Sequence, residues 1–253
     1  MTARTWAHAA IAAAAAAVSS SSATGATPYS LSADCAGAGG GALPHFWRSC
    51  GYTPAESTFD ADGWENVAWV GSTPRRGVAQ VRIHYLLDLV TVTAFNGTTL
   101  QMDWSALDAV VDRLVGNRVA PGFELMGSPA GFPPLPSSFW QGNGTLSPGD
   151  VLAGYRGMVA ALVTRHVDRY GGAEVSTWNY ESWNEADGCG WGWTDPTQYD
   201  AYQNYYDASA AGVQDAEAAT GLALTFGGPA ACGAGDWQTD WFARIILHMH
   251  NGT

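Results

Sequence analysis

Two carboxylates lie four residues apart in the run Trp178-Asn179-Tyr180-Glu181-Ser182-Trp183-Asn184-Glu185. In a strand, Glu181 and Glu185 would point to one face, about 13 Å apart, because side chains alternate and each residue adds a fixed rise. The paired carboxyl groups of a retaining glycosidase lie roughly 5–5.5 Å apart. Only one of the two could therefore belong to such a pair, and Glu185, at the end of the run, is the better placed. A glycosidic oxygen is a poor leaving group and needs a proton in the transition state, which a carboxylic acid provides. The neighbouring amide of Asn184 is of the right type to hydrogen-bond a sugar hydroxyl.

Short strand-like runs that alternate with helical periodicity position these residues. Strands are predicted at Phe46 to Gly51, Val78 to Leu86, Val119 to Met126, Val175 to Trp183 and Leu222 to Phe226. Helices are predicted near Trp64 to Val70, from an Asp103 N-cap to Leu114, from Asp150 to Tyr170, from Thr197 to Ala219, and from Trp237 to His250. Five strand–helix units imply an α/β chain with a parallel sheet. Both a doubly wound sheet and a (β/α)8 barrel fit that alternation. The barrel is favoured because Arg82, His84, Glu124, Asn184 and Glu185 gather at the C-terminal ends of strands, the face that carries chemistry in barrels. No Gly-x-Gly-x-x-Gly turn follows the first strand, which counts against a dinucleotide fold. The expectation is the first five units of an incomplete barrel over residues 43–253.

Composition narrows the function class. The formal charge is −12, and all eleven basic residues are scattered arginines with no lysine among them. That excludes a Schiff-base lysine and a P-loop, and it leaves no basic patch for nucleic acid. Twelve Trp and ten Tyr suit either a large core or the stacking of sugar rings. Met1 to Ala26 has the layout of a secretory signal peptide, with an apolar run from Ala9 to Val18 that is too short for a membrane span. A Gly/Ala-rich lead-in follows at 27–42. Export implies a secreted or lysosome-like location. It also allows glycosylation at the Asn96 and Asn143 sequons and disulfides among four cysteines, with three connectivities possible. No cofactor and no metal site are expected, and the partner expected is a carbohydrate.

The chain resembles glycoside hydrolase family 39, the family of the α-L-iduronidases and β-xylosidases. The blocks that carry the resemblance are Phe46-Trp47-Arg48-Ser49, Pro74-Arg75-Arg76-Gly77, Gln80 to Val90, Pro121 to Gly127, Arg169-Tyr170-Gly171, Trp178 to Glu185, Asn204 to Ala208 and Gly227-Gly228-Pro229. The resemblance implies a (β/α)8 barrel and a retaining mechanism. It makes Glu185 the acid/base, puts Asn184 on the substrate, and places Arg82 and His84 in the active-site lining. Arg82 is then expected to hold Glu185 and its neighbours by charge, and His84 to contact the sugar. Glu124 is expected to be structural and Glu181 a hydrogen-bonding residue of the barrel interior. The family's nucleophile, a Glu of the seventh strand, would lie beyond Thr253.

The sequence departs from the family at Ala186, where a Pro is usual, and at Arg75, where iduronidases carry a substrate-side His. The implied fold puts Cys189 and Cys232 on adjacent loops and so favours their pairing, which leaves Cys35 with Cys50. The function implied is removal of terminal uronic acids from glycosaminoglycan-like glycans. A β-xylosidase-like activity is the enzymatic alternative, and an inactive sugar-binding chain the non-enzymatic one.

Overall fold

Each strand of the main sheet is laid down beside the one before it. The computed structural model describes residues 48–52, 60–74, 77–188, 193, 198–233 and 235–251. The described residues belong to one compact unit, His45–Thr253. They run β1 (Ser49–Tyr52), α1 (Ala61–Gly71), β2 (Gln80–Ile83), a 3-10 turn (Leu86–Leu89), β3 (Thr91–Phe95), β4 (Leu100–Asp103), α2 (Ser105–Gly116) and β5 (Ala120–Glu124). A short α3 (Ser138–Gln141), the long α4 (Pro148–Tyr170), a helical turn α5 (Gly172–Val175), β6 (Asn179–Glu181), α6 (Tyr199–Thr220), β7 (Thr225–Gly227) and α7 (Asp236–Asn251) follow.

The sheet order is β1-β2-β5-β6-β7, with every pairing parallel. A doubly wound sheet reverses its order at a switch point. Among the described strands no reversal occurs, which is the order of a (β/α)8 barrel, seen over five of its β/α units.

Alternation along the strands decides what faces what. Val81, Ile83, Phe123 and Tyr180 are buried on the side that meets the helices. Arg82, Glu124 and Glu181 occupy the other side. Leu125, just past β5, ends in a carbonyl that accepts from two buried phenols, Tyr155 Oη at 2.6 Å and Tyr205 Oη at 2.7 Å. These two tyrosines lie on α4 and α6, so one strand-end carbonyl satisfies a hydroxyl from each helix. A capping box starts α4: Ser147 Oγ accepts from Asp150 N at 3.2 Å, and the Asp150 carboxylate accepts from Ser147 N at 2.9 Å. Most of the described aromatics fill this core. Trp178, Trp193, Tyr155, Tyr180, Tyr202 and Tyr205 are fully buried, so their abundance reflects packing and not an exposed sugar-stacking surface.

Beneath the sheet, His166 on α4 is fully enclosed, with Nδ1 2.9 Å from Tyr180 Oη and the rings of Phe123, Tyr170 and Trp178 around it. Burial pushes its pKa down to about 3. A histidine whose folded pKa lies below its unfolded value of about 6.5 withholds stability as the pH falls, by about 1.4 kcal/mol per unit until the folded pKa is reached. Between pH 7 and pH 4.5 the wild type is therefore expected to lose roughly 3 kcal/mol more than His166→Phe. Urea midpoints of both proteins at the two pH values check this, and equal losses would remove the assignment.

Several expected boundaries move, each for a local reason. The fourth strand, predicted from Val175, begins only at Asn179. Ser176 and Thr177 bond back to the carbonyls of Ala173 and Glu174, at 3.3 and 2.8 Å, and hold a turn instead. Asp103 does not cap α2 but ends β4, where its carboxylate accepts from Ser105 N at 2.9 Å; the N-cap is Trp104. The β3–β4 hairpin was not foreseen, although Asn96-Gly97 between two alternating runs is a hairpin signal. Phe46, Trp47, the expected signal peptide at 1–26 and the expected lead-in at 27–42 lie outside the described residues. Cys50 carries a free thiol, which corrects the expected Cys35–Cys50 pair: it lies half-buried in β1 and packs on the core.

Candidate active site

At the C-terminal ends of β2, β5 and β6 a charged cluster forms across three strands. Register aligns Arg82 with Gly122, and Glu124 with Glu181. A Cβ on Gly122 would sit 3.1 Å from Arg82 Cα and 3.2 Å from its Cβ. Glycine at this position leaves the arginine room to lie across β5 and reach β6. Its Nε donates to Glu181 Oε2 at 2.6 Å, and its Nη2 donates to Glu181 Oε1 at 3.0 Å and to Asn184 Oδ1 at 2.9 Å. The same Nη2 forms an ion pair with Oε1 of Glu124, whose side chain is fully buried, and the other Glu124 oxygen meets His84 Nδ1. Burial opposes the charge on Arg82. The Glu181 hydrogen bonds and the field of both carboxylates outweigh it and raise the guanidinium pKa.

Arg82 was expected to hold Glu185 and its neighbours. Its partners are Glu181, Glu124 and Asn184, so it grips the residue beside Glu185 and not Glu185. The strand ends at Glu181, and Glu185 opens a turn over residues 185–188. That turn also undoes the premise that Glu181 and Glu185 share one extended face. Ser182 N donates to Gly227 O at 2.9 Å, Asn184 forms a lone parallel bridge with Ala230, and Glu185 N donates to Ala230 O at 2.7 Å.

Glu185 adopts φ 51, in the left-handed region that a residue with a Cβ seldom enters. Its side chain is half-buried, and its carboxylate makes no hydrogen bond or ion pair among the described residues. The two loops come together closely. Gly228 has φ 125, and a Cβ there would fall 2.0 Å from Ser182 Oγ.

The structure thus brings Arg82, His84, Asn184 and Glu185 to one end of the sheet, together with Glu124 and Glu181. It also shows a residue that the sequence reading passed over. Asp187 is fully buried and accepts from Cys232 N at 2.9 Å and from Gly233 N at 2.8 Å. An acidic residue two positions after Glu185 in a Gly-rich loop was the available signal. Arg75 and Cys189 lie outside the described residues, while Cys232 is held in a disulfide. Asn96 and Asn143 are both exposed. Their side-chain oxygens accept from Thr98 N at 3.1 Å and Thr145 N at 3.1 Å, within their own sequons. No group of three or more potential metal ligands occurs among the described residues.

Residues 35–253 match the model of glycosyl hydrolases family 39. The chain belongs to that family. Among curated family 39 relatives, human α-L-iduronidase is 35% identical over 219 residues, covering 83% of this chain and 31% of its own length. The β-xylosidase of Geobacillus stearothermophilus is 31% identical over 147 residues, which is 55% of this chain and 27% of that protein. A solved bacterial orthologue of human α-L-iduronidase superposes with a TM-score of 0.64 at 30% identity, over 81% of this chain and 30% of the other. A monomeric β-xylosidase from Caulobacter crescentus gives 0.55 at 25% identity, over 79% and 39%. The chain therefore spans about a third of the length of the iduronidases it matches.

Proposed function

We propose that this chain carries the acid/base half of a retaining glycosidase site of the α-L-iduronidase kind, acting on terminal uronic acids of glycosaminoglycan-like glycans. The observation that carries the reading is Glu185. It is a half-buried carboxylate with no partner among the described residues, turned on left-handed backbone at the end of β6 beside an asparagine that Arg82 holds. In a retaining mechanism such a carboxylic acid gives its proton to the glycosidic oxygen as the bond to the anomeric carbon breaks. As carboxylate it then takes a proton from the water that releases the sugar. The nucleophile that forms the covalent intermediate is expected from a Glu on a strand beyond residue 253. Asn184 would bond a sugar hydroxyl and His84 would contact the ring, with Arg75 near the substrate.

Identity favours the iduronidase reading over the β-xylosidase one, at 35% over most of the chain against 31% over 55% of it. The protein that carries this chain is expected to release the aryl alcohol from an aryl α-L-iduronide far faster than from an aryl β-D-xyloside. The opposite ratio would transfer the assignment to the xylosidases. Secretion or a lysosome-like location, glycans on Asn96 and Asn143, and a Cys189–Cys232 bridge complete the proposal. No helix among the described residues is long and apolar enough to cross a membrane.

A further inference from the structure

We infer that Asp187 is the positioning residue that holds Glu185 in its left-handed conformation, by clamping the loop after β6 onto the loop after β7. The inference rests on the proposed role of Glu185 and adds to it how that side chain is aimed. Segment 184–187 is fastened to segment 230–233 at two points that flank Glu185. On one side, Asn184 bridges Ala230 and Glu185 N donates to Ala230 O at 2.7 Å. On the other, the Asp187 carboxylate takes Cys232 N at 2.9 and 3.1 Å on its two oxygens and Gly233 N at 2.8 Å.

Asp187 is 0% exposed and Ala186 only 1%, so the stretch between Glu185 and the clamp is enclosed. No ion pair to Asp187 occurs among the described residues, and its buried charge is met by backbone N–H groups. That arrangement fixes the direction of a carboxylate and of the loop it binds.

A left-handed non-glycine residue persists only where its surroundings over-determine it. With the Asp187 carboxylate gone, the N–H groups of residues 232 and 233 lose their acceptor, and the stretch between Glu185 and the proposed Cys189–Cys232 bridge is no longer fixed. Glu185 is then free to relax toward negative φ, which swings its carboxyl group away from where it was held. A misplacement of about 1 Å in a reacting group costs on the order of a hundredfold in rate.

The test uses the protein that carries this chain and a series of aryl α-L-iduronides, from a dinitrophenol leaving group, which departs without a proton, to unsubstituted phenol, which needs one. For Asp187→Ala, kcat/KM is expected to fall about a hundredfold on the phenyl glycoside and only a few-fold on the dinitrophenyl one. Asp187→Asn, which keeps one acceptor oxygen but turns an NH2 toward a backbone donor, should fall between wild type and Ala. A purely structural role would lower the active fraction and so reduce all substrates by one factor; that result overturns the inference, as does no loss at all. If Asp187→Ala does not fold, Asp187→Asn decides on the same criterion.

Glu185→Gln run on the same series separates the two ideas. If it fails to steepen the leaving-group dependence, the acid role of Glu185 has failed. If it steepens the dependence and the Asp187 variants do not, only the present inference has failed.

Discussion

Glu185→Gln is expected to lower kcat/KM on a phenyl or alkyl glycoside by about 10²–10⁴-fold, the range that a positioned general acid contributes. The amide is nearly isosteric and the turn is held by backbone bonds to Ala230, so the fold should be unchanged. The loss is chemical, because an amide has no proton to give to the glycosidic oxygen. With a leaving group that needs no proton, the first step should survive while the second slows, since no base remains to activate water. Azide requires no base. It should attack the anomeric carbon of the covalent intermediate, displace the nucleophilic carboxylate, and restore turnover as a glycosyl azide of the substrate's own anomeric configuration. Wild-type rates on the phenyl glycoside, or no acceleration by azide, would show that Glu185 is not the acid/base.

The second large effect concerns stability. Arg82→Met is expected to cost about 3 kcal/mol, because it leaves the buried carboxylate of Glu124 without its guanidinium partner, with His84 alone beside it, and removes the anchor of Asn184. The figure sits at the low end for a broken buried pair, since the Arg82 side chain is 28% exposed and partly screened by water. Glu124→Gln supplies the control. In that background the same Arg82→Met change should cost under about 1 kcal/mol, since no buried charge is left unpaired. Urea unfolding at constant slope measures all four proteins. Equal costs in the two backgrounds would mean that Arg82 acts through Glu181 and packing and not through Glu124.

These residues differ in how much of their role the linear sequence revealed. The α/β alternation, the barrel order and the place of Asn184-Glu185 just past a strand's end could all be read in advance. Each depends on short-range information: apolar periodicity within an element, capping residues such as Ser147 and Asp150, and polar residues collected at strand ends. The β3–β4 hairpin had its Asn-Gly signal and could have been read as well.

The partners of Arg82 could not. Whether its guanidinium meets Glu181, Glu124 or Glu185 depends on the register of three strands about forty to a hundred residues apart, and on Gly122 leaving the path open. The end of β6 at Glu181 was equally hidden, because Ser182, Trp183 and Asn184 carry no turn signal of their own; beyond it the chain is held by the Gly227 and Ala230 carbonyls, which accept from Ser182 N and Glu185 N. The clamp by Asp187 depends on that same meeting.

Glu185, then, was chosen by the sequence, through residue type and position at a strand's end. Its aim was decided only by tertiary structure. A left-handed backbone at a residue with a Cβ has no local preference behind it, and among the described residues it is the packed loop of residues 230–233 that fastens it there.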